Sequence, residues 1–201
     1  AGGVEEAGAL RVLAGGEWLE AGAVICALPH ERARGLLTPL LGARAKRWEG
    51  LGASPIVNVH IVYDRRVCEQ GFAAGVGTPI QYLFDRSDAA GLSGAGQYLA
   101  ISLSGATAEM GQASETVARR YVEAMRELLP AAREAGVRSV YVSREHTATF
   151  AARPGTGALR PGARTEVEGL VLAGAWTDTG WPATLEGAVL SGHAAAREAL
   201  R

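Results

Sequence analysis

The sequence has no uninterrupted apolar run approaching the roughly 18 residues that a membrane-spanning helix needs, and no segment resembles a secretory signal peptide. It has only two cysteines, Cys26 in an apolar run and Cys68 near a turn, and neither has the spacing of a metal site or a disulfide. The formal net charge is -1 without a basic cluster, which argues against nucleic acid as a partner. We therefore expect a cytoplasmic protein without a metal.

The composition is that of a folded chain, with 48% hydrophobic and 20% charged residues. The apolar run 170–173 is bounded by glycines and predicts a strand buried on both faces, although its periodicity alone does not exclude a helix. A turn rich in glycine and threonine follows, and Pro182 precedes a helix that Thr184 is expected to cap. On spacing alone, a cofactor site and a tightly packed strand-turn-helix without a ligand both remain open.

The predicted helix 185–200 has one side with almost no bulk, formed by Gly187, Ala188, Ser191, Gly192, Ala195 and Ala196. Each interior glycine costs a helix roughly 1 kcal/mol relative to alanine. Both glycines therefore indicate that this side approaches a sheet or a ligand closely. The free amides at the start of such a helix also favour an anion or a developing negative charge.

The rest of the chain divides into a mixed beginning and a strand-rich middle. The first 43 residues predict a hairpin that turns at Gly15 and Gly16, a buried strand at 24–28 and a helix at 31–41. In the middle, Val57, Val59, Ile61 and Tyr63 alternate along one face of a strand, which leaves Asn58 and His60 on the other. Two antiparallel strands are predicted at 81–84 and 98–103, and a further strand at 137–143. A helix is predicted at 114–129, and its apolar side is formed by Val117, Tyr121, either Ala124 or Met125, and Leu128.

The segment 172–192, which reads LAGAWTDTGWPATLEGAVLSG, resembles the C-terminal FAD motif of the flavin-containing amine oxidase and phytoene desaturase superfamily. The segments 54–65, 80–86 and 148–150, followed by Arg160, resemble the squalene-associated FAD-dependent desaturases, the hydroxysqualene dehydroxylases. The resemblance covers nearly the whole chain from about Ala23. It implies an α+β fold with α/β FAD-domain pieces at 1–43 and 153–201, and an inserted substrate-binding lobe at 44–152 with a mostly antiparallel sheet and one long helix.

The resemblance also implies the functional residues. The expected FAD contacts are Gly174, Ala175, Trp176, Asp178, Pro182, Ala183, Thr184 and Leu185. Gln81, Tyr82 and Trp181 are expected to line the substrate site, although packing within the sheet is an equal alternative for Gln81 and Tyr82. His60 is the candidate acid or base, since histidine titrates near neutrality, and a hydrogen-bonded structural role is its alternative.

The chain departs from the superfamily pattern at two places. Many relatives carry an acidic residue where this chain has Ala175, and no stretch has the G-x-G-x-x-G spacing that holds the FAD pyrophosphate. With 201 residues and no initial methionine, the chain is expected to be a C-terminal portion that lacks an N-terminal FAD-domain half, its natural partner. Alone, it is expected to be inactive, to lose FAD, and to dimerise artificially through exposed apolar surface.

The expected reaction is the reductive dehydroxylation of hydroxysqualene to squalene with hydride from flavin. A carotenoid desaturase or amine oxidase of the same superfamily is the alternative enzyme, and a non-catalytic binding or assembly module is the alternative from another class. The expected substrate is an isoprenoid small molecule, which is compatible with peripheral membrane contact.

Overall fold

The computed structural model describes residues 2–6 and 8–201, which form two compact units. The discontinuous unit comprises the chain up to Ala53 together with Thr149–Arg201, and the inserted unit comprises Ser54–Ala148. The sequence placed these boundaries at 43/44 and 152/153. Residues 44–53 and 149–152 lie in the discontinuous unit because Trp48, Leu51 and Phe150 pack into its core. The expected mixed α+β class is confirmed.

The described strands are β1 (Gly3–Glu6), β2 (Leu10–Ala14), β3 (Glu17–Ala21), β4 (Val24–Cys26), β5 (Ser54–Tyr63), β6 (Phe72–Ala74), β7 (Tyr82–Asp85), β8 (Gln97–Ser104), β9 (Val137–Thr149) and β10 (Leu170–Leu172). The α-helices are α1 (His30–Leu41), α2 (Ala43–Arg47), α3 (Thr107–Met110), α4 (Ser114–Leu128) and α5 (Leu185–Ala199). Short 3-10 turns span Trp48–Leu51, Pro130–Arg133 and Thr156–Leu159. No helix among the residues described is both long and apolar enough to cross a membrane.

Two small sheets organise the discontinuous unit. β1, β2 and β3 form an antiparallel sheet in that order, and the hairpin turns at Gly15 and Gly16 with φ of 61° and 90°, which glycine adopts readily. β4 and β10 pair in parallel, so that Leu170 lies opposite Val24. All three residues of β10 are buried, as the apolar run predicted. This parallel pair positions the turn that follows β10.

The inserted unit is a five-stranded sheet in the order β6-β7-β8-β5-β9, with its core on one face. Val57, Val59, Ile61 and Tyr63 of β5 are fully buried in that core, which confirms the predicted alternation. Val117, Tyr121, Ala124 and Met125 of α4 are buried in the same core. The prediction for Leu128 was wrong, because this side chain near the end of α4 is 37% exposed. β9 also runs six residues beyond the predicted end at 143.

Candidate functional site

The turn that follows β10 requires glycine at its first bend. Gly174 has a φ of 137°, which side chains rarely adopt, and a Cβ added there would lie 2.6 Å from the indole nitrogen of Trp176. The amide of Gly174 donates to the Ser191 hydroxyl of α5 over 2.8 Å, and this hydroxyl donates to the carbonyl of Ala188. The small residues at these positions therefore fix the turn against α5.

Trp176 lies in the core of the discontinuous unit. Its indole N–H donates to the carbonyl of Leu28 over 3.0 Å, and its ring centroid is 4.9 Å from that of Trp48 and 6.3 Å from that of His30. Burial lowers the pKa of His30, which favours its neutral form. The side chain of Trp176 is thus enclosed by protein atoms, and the whole residue is only 5% exposed.

Arg160 holds this turn, and sequence reasoning did not assign it a role. Its guanidinium donates to the carbonyls of Ala175, Trp181 and Trp176 over 3.1, 2.9 and 3.4 Å, and it also donates to that of Thr177. One side chain therefore binds four carbonyls between residues 175 and 181. The signal in the sequence that could have indicated this role was the position of Arg160 next to segments that resemble the squalene-associated desaturases.

α5 begins as the sequence predicted. The Thr184 hydroxyl accepts a hydrogen bond from the amide of Gly187 over 3.3 Å, which confirms the cap. A Cβ at Gly187 would lie only 2.4 Å from the carbonyl oxygen of Pro182. Gly187 thus lies against the backbone of the preceding turn, whereas the sequence predicted a sheet or a ligand as the neighbour. An added Cβ at Gly192 would meet no atom within 4 Å, so no described residue lies close to it, and the approach of a ligand to Gly192 stays a prediction.

The surface of the turn is formed by Trp181, Pro182, Thr184 and Leu185, which are exposed, and by Ala183, which is partly buried. The Leu185 side chain is 88% exposed and that of Trp181 is 50% exposed. The amides of Leu185 and Glu186 find no acceptor among the described residues. Exposed apolar side chains thus lie beside two free backbone donors at the positive end of a helix dipole.

Asp178 occupies an exposed bend on the same turn. Its carboxylate accepts from the amide of Gly180 over 3.1 Å, and its own amide donates to the carbonyl of Pro161 over 2.7 Å. Ala175 contributes its carbonyl to Arg160, as described above. The structure gives Asp178 a role in closing the turn, and the residue is exposed.

In the inserted unit, a polar network lies on the sheet face opposite the core. His60 lies 2.7 Å through Nδ1 from the Tyr98 hydroxyl and 3.1 Å through Nε2 from the Ser143 hydroxyl. The Asn58 amide donates to the same Ser143 oxygen over 3.5 Å, and the Tyr141 ring stacks on His60 at 5.9 Å between centroids. Burial lowers the pKa of His60, so the imidazole is neutral at neutral pH.

Gln81 and Tyr82 lie farther along this unit. The Gln81 amide group exchanges two hydrogen bonds with the backbone of Ser104, at 3.1 and 2.9 Å, and so extends the β7–β8 ladder. Tyr82 is exposed and stacks on Phe72 with 6.0 Å between ring centroids. The structure therefore places Gln81 in strand pairing and Tyr82 on an aromatic surface. The described residues contain no cluster of three potential metal ligands.

Comparisons with known proteins identify the family of the chain. A family model described as flavin containing amine oxidoreductase matches residues 4–200. Hydroxysqualene dehydroxylase of Rhodopseudomonas palustris is 60% identical over 55 residues, which are 27% of this chain and 13% of that protein. The same enzyme of Sinorhizobium fredii is 57% identical over 56 residues, which are 28% of this chain and 13% of that protein.

The fold also matches a solved structure, that of an oxidoreductase from Methanosarcina mazei. The TM-score is 0.73 at 18% identity, and the match covers 98% of this chain and 48% of that chain. The chain thus spans about half of this structure, and its aligned part covers 13% of each curated relative. Because the family model covers almost the whole chain, the chain belongs to the family of flavin-containing amine oxidoreductases.

Proposed function

We propose that the polypeptide carrying this chain catalyses the FAD-dependent reductive dehydroxylation of hydroxysqualene to squalene. The observation that carries the proposal is the 60% identity to a hydroxysqualene dehydroxylase over 55 residues. Identity at this level within a family of diverse substrates favours the reaction of that relative over the other reactions of the superfamily. The exposed part of the turn, at 181–185, supports cofactor binding. The sheet face of the inserted unit opposite its core, here called the open face, supports substrate binding.

The residues at the turn fit a flavin. The two free amides at the start of α5 can bind the pyrimidine edge, where a reduced flavin carries negative charge. The apolar side chains of Trp181 and Leu185 lie beside these amides and can cover an aromatic ring system. Arg160 keeps the backbone of the turn in place. Bound FAD would supply the hydride, and these residues would bind and orient it.

The substrate-side residues fit a largely apolar molecule with one hydroxyl group. Phe72, Tyr82 and Phe84 form an aromatic surface on β6 and β7, with 5.1 Å between the centroids of Phe72 and Phe84. The polar network around His60 lies on β5, β8 and β9 of the same sheet. An isoprenoid alcohol would place its hydrocarbon on the aromatic surface and its hydroxyl near the network.

The parallel pair of β4 and β10 indicates which further segment would complete the FAD domain. Among the described strands, β10 is the only neighbour of β4, and Ile25 in the middle of β4 is 46% exposed. Parallel sheets are ordinarily covered on both faces. We propose that an N-terminal FAD-domain half, which includes the pyrophosphate-binding turn, pairs with β4 and covers Ile25. The 201-residue chain alone would then release FAD and associate through this surface.

Product analysis with a substrate panel tests the function. The FAD-loaded polypeptide is incubated with a reductant and hydroxysqualene, and separately with phytoene and with amines, each under the conditions that its reaction requires. We expect squalene from hydroxysqualene, and no desaturated carotenoid or aldehyde. Desaturation of phytoene would favour a carotenoid desaturase, and amine oxidation an amine oxidase. A complete polypeptide that binds no flavin would favour the non-catalytic module.

A further inference from the structure

The open face of the inserted unit changes from apolar to polar along one row of the sheet. Strand register places Phe72 opposite Phe84, Phe84 opposite Ala100, and Ala100 opposite His60. The row therefore begins with two aromatic rings and ends with an imidazole. Ala100 lies between them, adds only a methyl group and is buried. Tyr98, two residues from Ala100 on β8, lies on the same face of the sheet.

Each hydrogen bond around His60 can be given a donor and an acceptor, from Asn58 through Ser143 and His60 to Tyr98. The Asn58 amide nitrogen donates to the Ser143 oxygen over 3.5 Å, and this contact leaves the Ser143 hydroxyl hydrogen free to point at Nε2 of His60. Nε2 then accepts, and Nδ1 carries the hydrogen of the neutral ring. His60 donates through Nδ1 to the Tyr98 oxygen over 2.7 Å. In this arrangement the phenolic hydrogen of Tyr98 has no acceptor within the network and is available to a bound molecule.

We infer that Tyr98 is the catalytic proton donor to the hydroxyl group of the substrate, and that His60 and Ser143 position Tyr98 and return its proton. The inference rests on the proposed function and assigns roles within it. The carbon–oxygen bond breaks, and the leaving hydroxyl takes the Tyr98 proton and departs as water. The new carbon–hydrogen bond would take its hydride from bound reduced FAD, which would be oxidised; this is the chemistry that the cofactor would supply. The Tyr98 oxygen regains a proton from solvent through His60.

The surroundings agree with this assignment. A hydroxide is a poor leaving group, so the reaction needs an acid close to the oxygen, and general acids typically contribute 10²- to 10⁴-fold in rate. The network holds no carboxylate, and its neutral imidazole can both donate to and accept from its neighbours. The stacked Tyr141 ring limits rotation of the imidazole. The aromatic residues at the other end of the row would hold the hydrocarbon.

The test uses the FAD-loaded polypeptide with the substitutions Tyr98→Phe and Tyr63→Phe. Each removes one phenolic oxygen from the same sheet. Tyr63 is a matched control because it lies on the core face, where its hydroxyl has no hydrogen-bond partner among the described residues. We expect Tyr98→Phe to lower kcat for hydroxysqualene by about 100-fold or more, and Tyr63→Phe to leave kcat unchanged. Far-ultraviolet circular dichroism, which reports the backbone, would show whether both variants keep the native fold.

A second substrate separates proton donation from a structural role. The acetate ester of the same alcohol loses acetate, which departs without protonation, so Tyr98→Phe should convert this ester at the wild-type rate. Binding gives a readout that needs no turnover. The variant should lose roughly tenfold in affinity for the alcohol and nothing for squalene, because only the alcohol accepts its hydrogen bond. His60→Gln should reduce kcat with the alcohol and spare the ester in the same way.

The outcomes distinguish a failure of the role assigned to Tyr98 from a failure of the proposed function. If the wild type makes squalene and Tyr98→Phe matches Tyr63→Phe, the assignment of Tyr98 is refuted while the proposed function stands. Equal slowing of the alcohol and the ester would also refute proton donation, since it would indicate a purely structural role. If the wild type makes no squalene from the alcohol, the proposed function itself fails, and the assignment fails with it.

Discussion

Two glycines of α5 look equivalent in the sequence, but the structure predicts opposite effects when each becomes alanine. At Gly187 the new methyl group would lie 2.4 Å from the carbonyl oxygen of Pro182. At Gly192 the methyl group would meet nothing within 4 Å. Gly187→Ala therefore forces the turn that contains Pro182 away from the helix, whereas Gly192→Ala adds helix propensity without a clash. Each variant serves as the control for the other.

The expected free energies follow from these distances. The methyl group and the Pro182 oxygen must separate by about 0.6–1.0 Å to reach the 3.0–3.4 Å of the tightest ordinary contacts. Overpacking of this kind typically costs about 1–3 kcal/mol, and displacement of Thr184 would weaken a cap worth about 1 kcal/mol. Helix propensity offsets up to about 1 kcal/mol of this cost. We expect Gly187→Ala to lower the free energy of unfolding by about 1–3 kcal/mol and Gly192→Ala to raise it by about 0.5–1 kcal/mol.

Tryptophan fluorescence during urea unfolding of the 201-residue chain measures this difference. All four tryptophans, at positions 18, 48, 176 and 181, belong to the discontinuous unit that contains α5. The signal therefore reports the unit in which both substitutions lie. Equal stabilities of the two variants, or a more stable Gly187→Ala, would show that α5 does not approach Pro182 as described.

Three further predictions concern other parts of the molecule. Arg160→Ala should destabilise the discontinuous unit by about 1.5–3 kcal/mol in the same urea assay, because four carbonyls lose a charged donor, while alanine at the exposed Arg153 should change little. Burial lowers the pKa of folded His60 below its ordinary value of about 6.5, so the unfolded chain binds a proton more readily. The free energy of unfolding should therefore fall as the pH drops below about 6.5. Because burial also lowers the pKa of His30, a His60→Gln variant should keep part of this fall, and an undiminished fall would contradict the role of His60. Burial raises the pKa values of Tyr63 and Tyr121 to about 12, so an ultraviolet titration should show two of the five tyrosines ionising last.

The features that the sequence predicted well are those with a local physical cause. The β5 alternation follows from the period of a strand with one buried face, and the Thr184 cap follows from a hydroxyl three residues before Gly187. The hairpin at Gly15 and Gly16 likewise depends on the backbone freedom of those two residues. Each of these signals lies within a few residues of the structure that it determines.

The features that the sequence did not predict depend on residues far apart in the chain. The indole of Trp176 binds the carbonyl of Leu28, 148 positions earlier, so its burial could not be inferred from the neighbouring glycines and threonines. The role of Arg160 similarly depends on a turn that returns 15 to 21 residues later. Tertiary contacts decide both features.

A single anaerobic turnover tests the central claim most directly. The FAD of the loaded polypeptide is reduced by light in the absence of any nicotinamide and is then mixed with hydroxysqualene. The account predicts that the spectrum of oxidised flavin returns as squalene forms, with one squalene for each flavin reoxidised. A flavin that stays reduced while hydroxysqualene remains unchanged would contradict the proposed reaction.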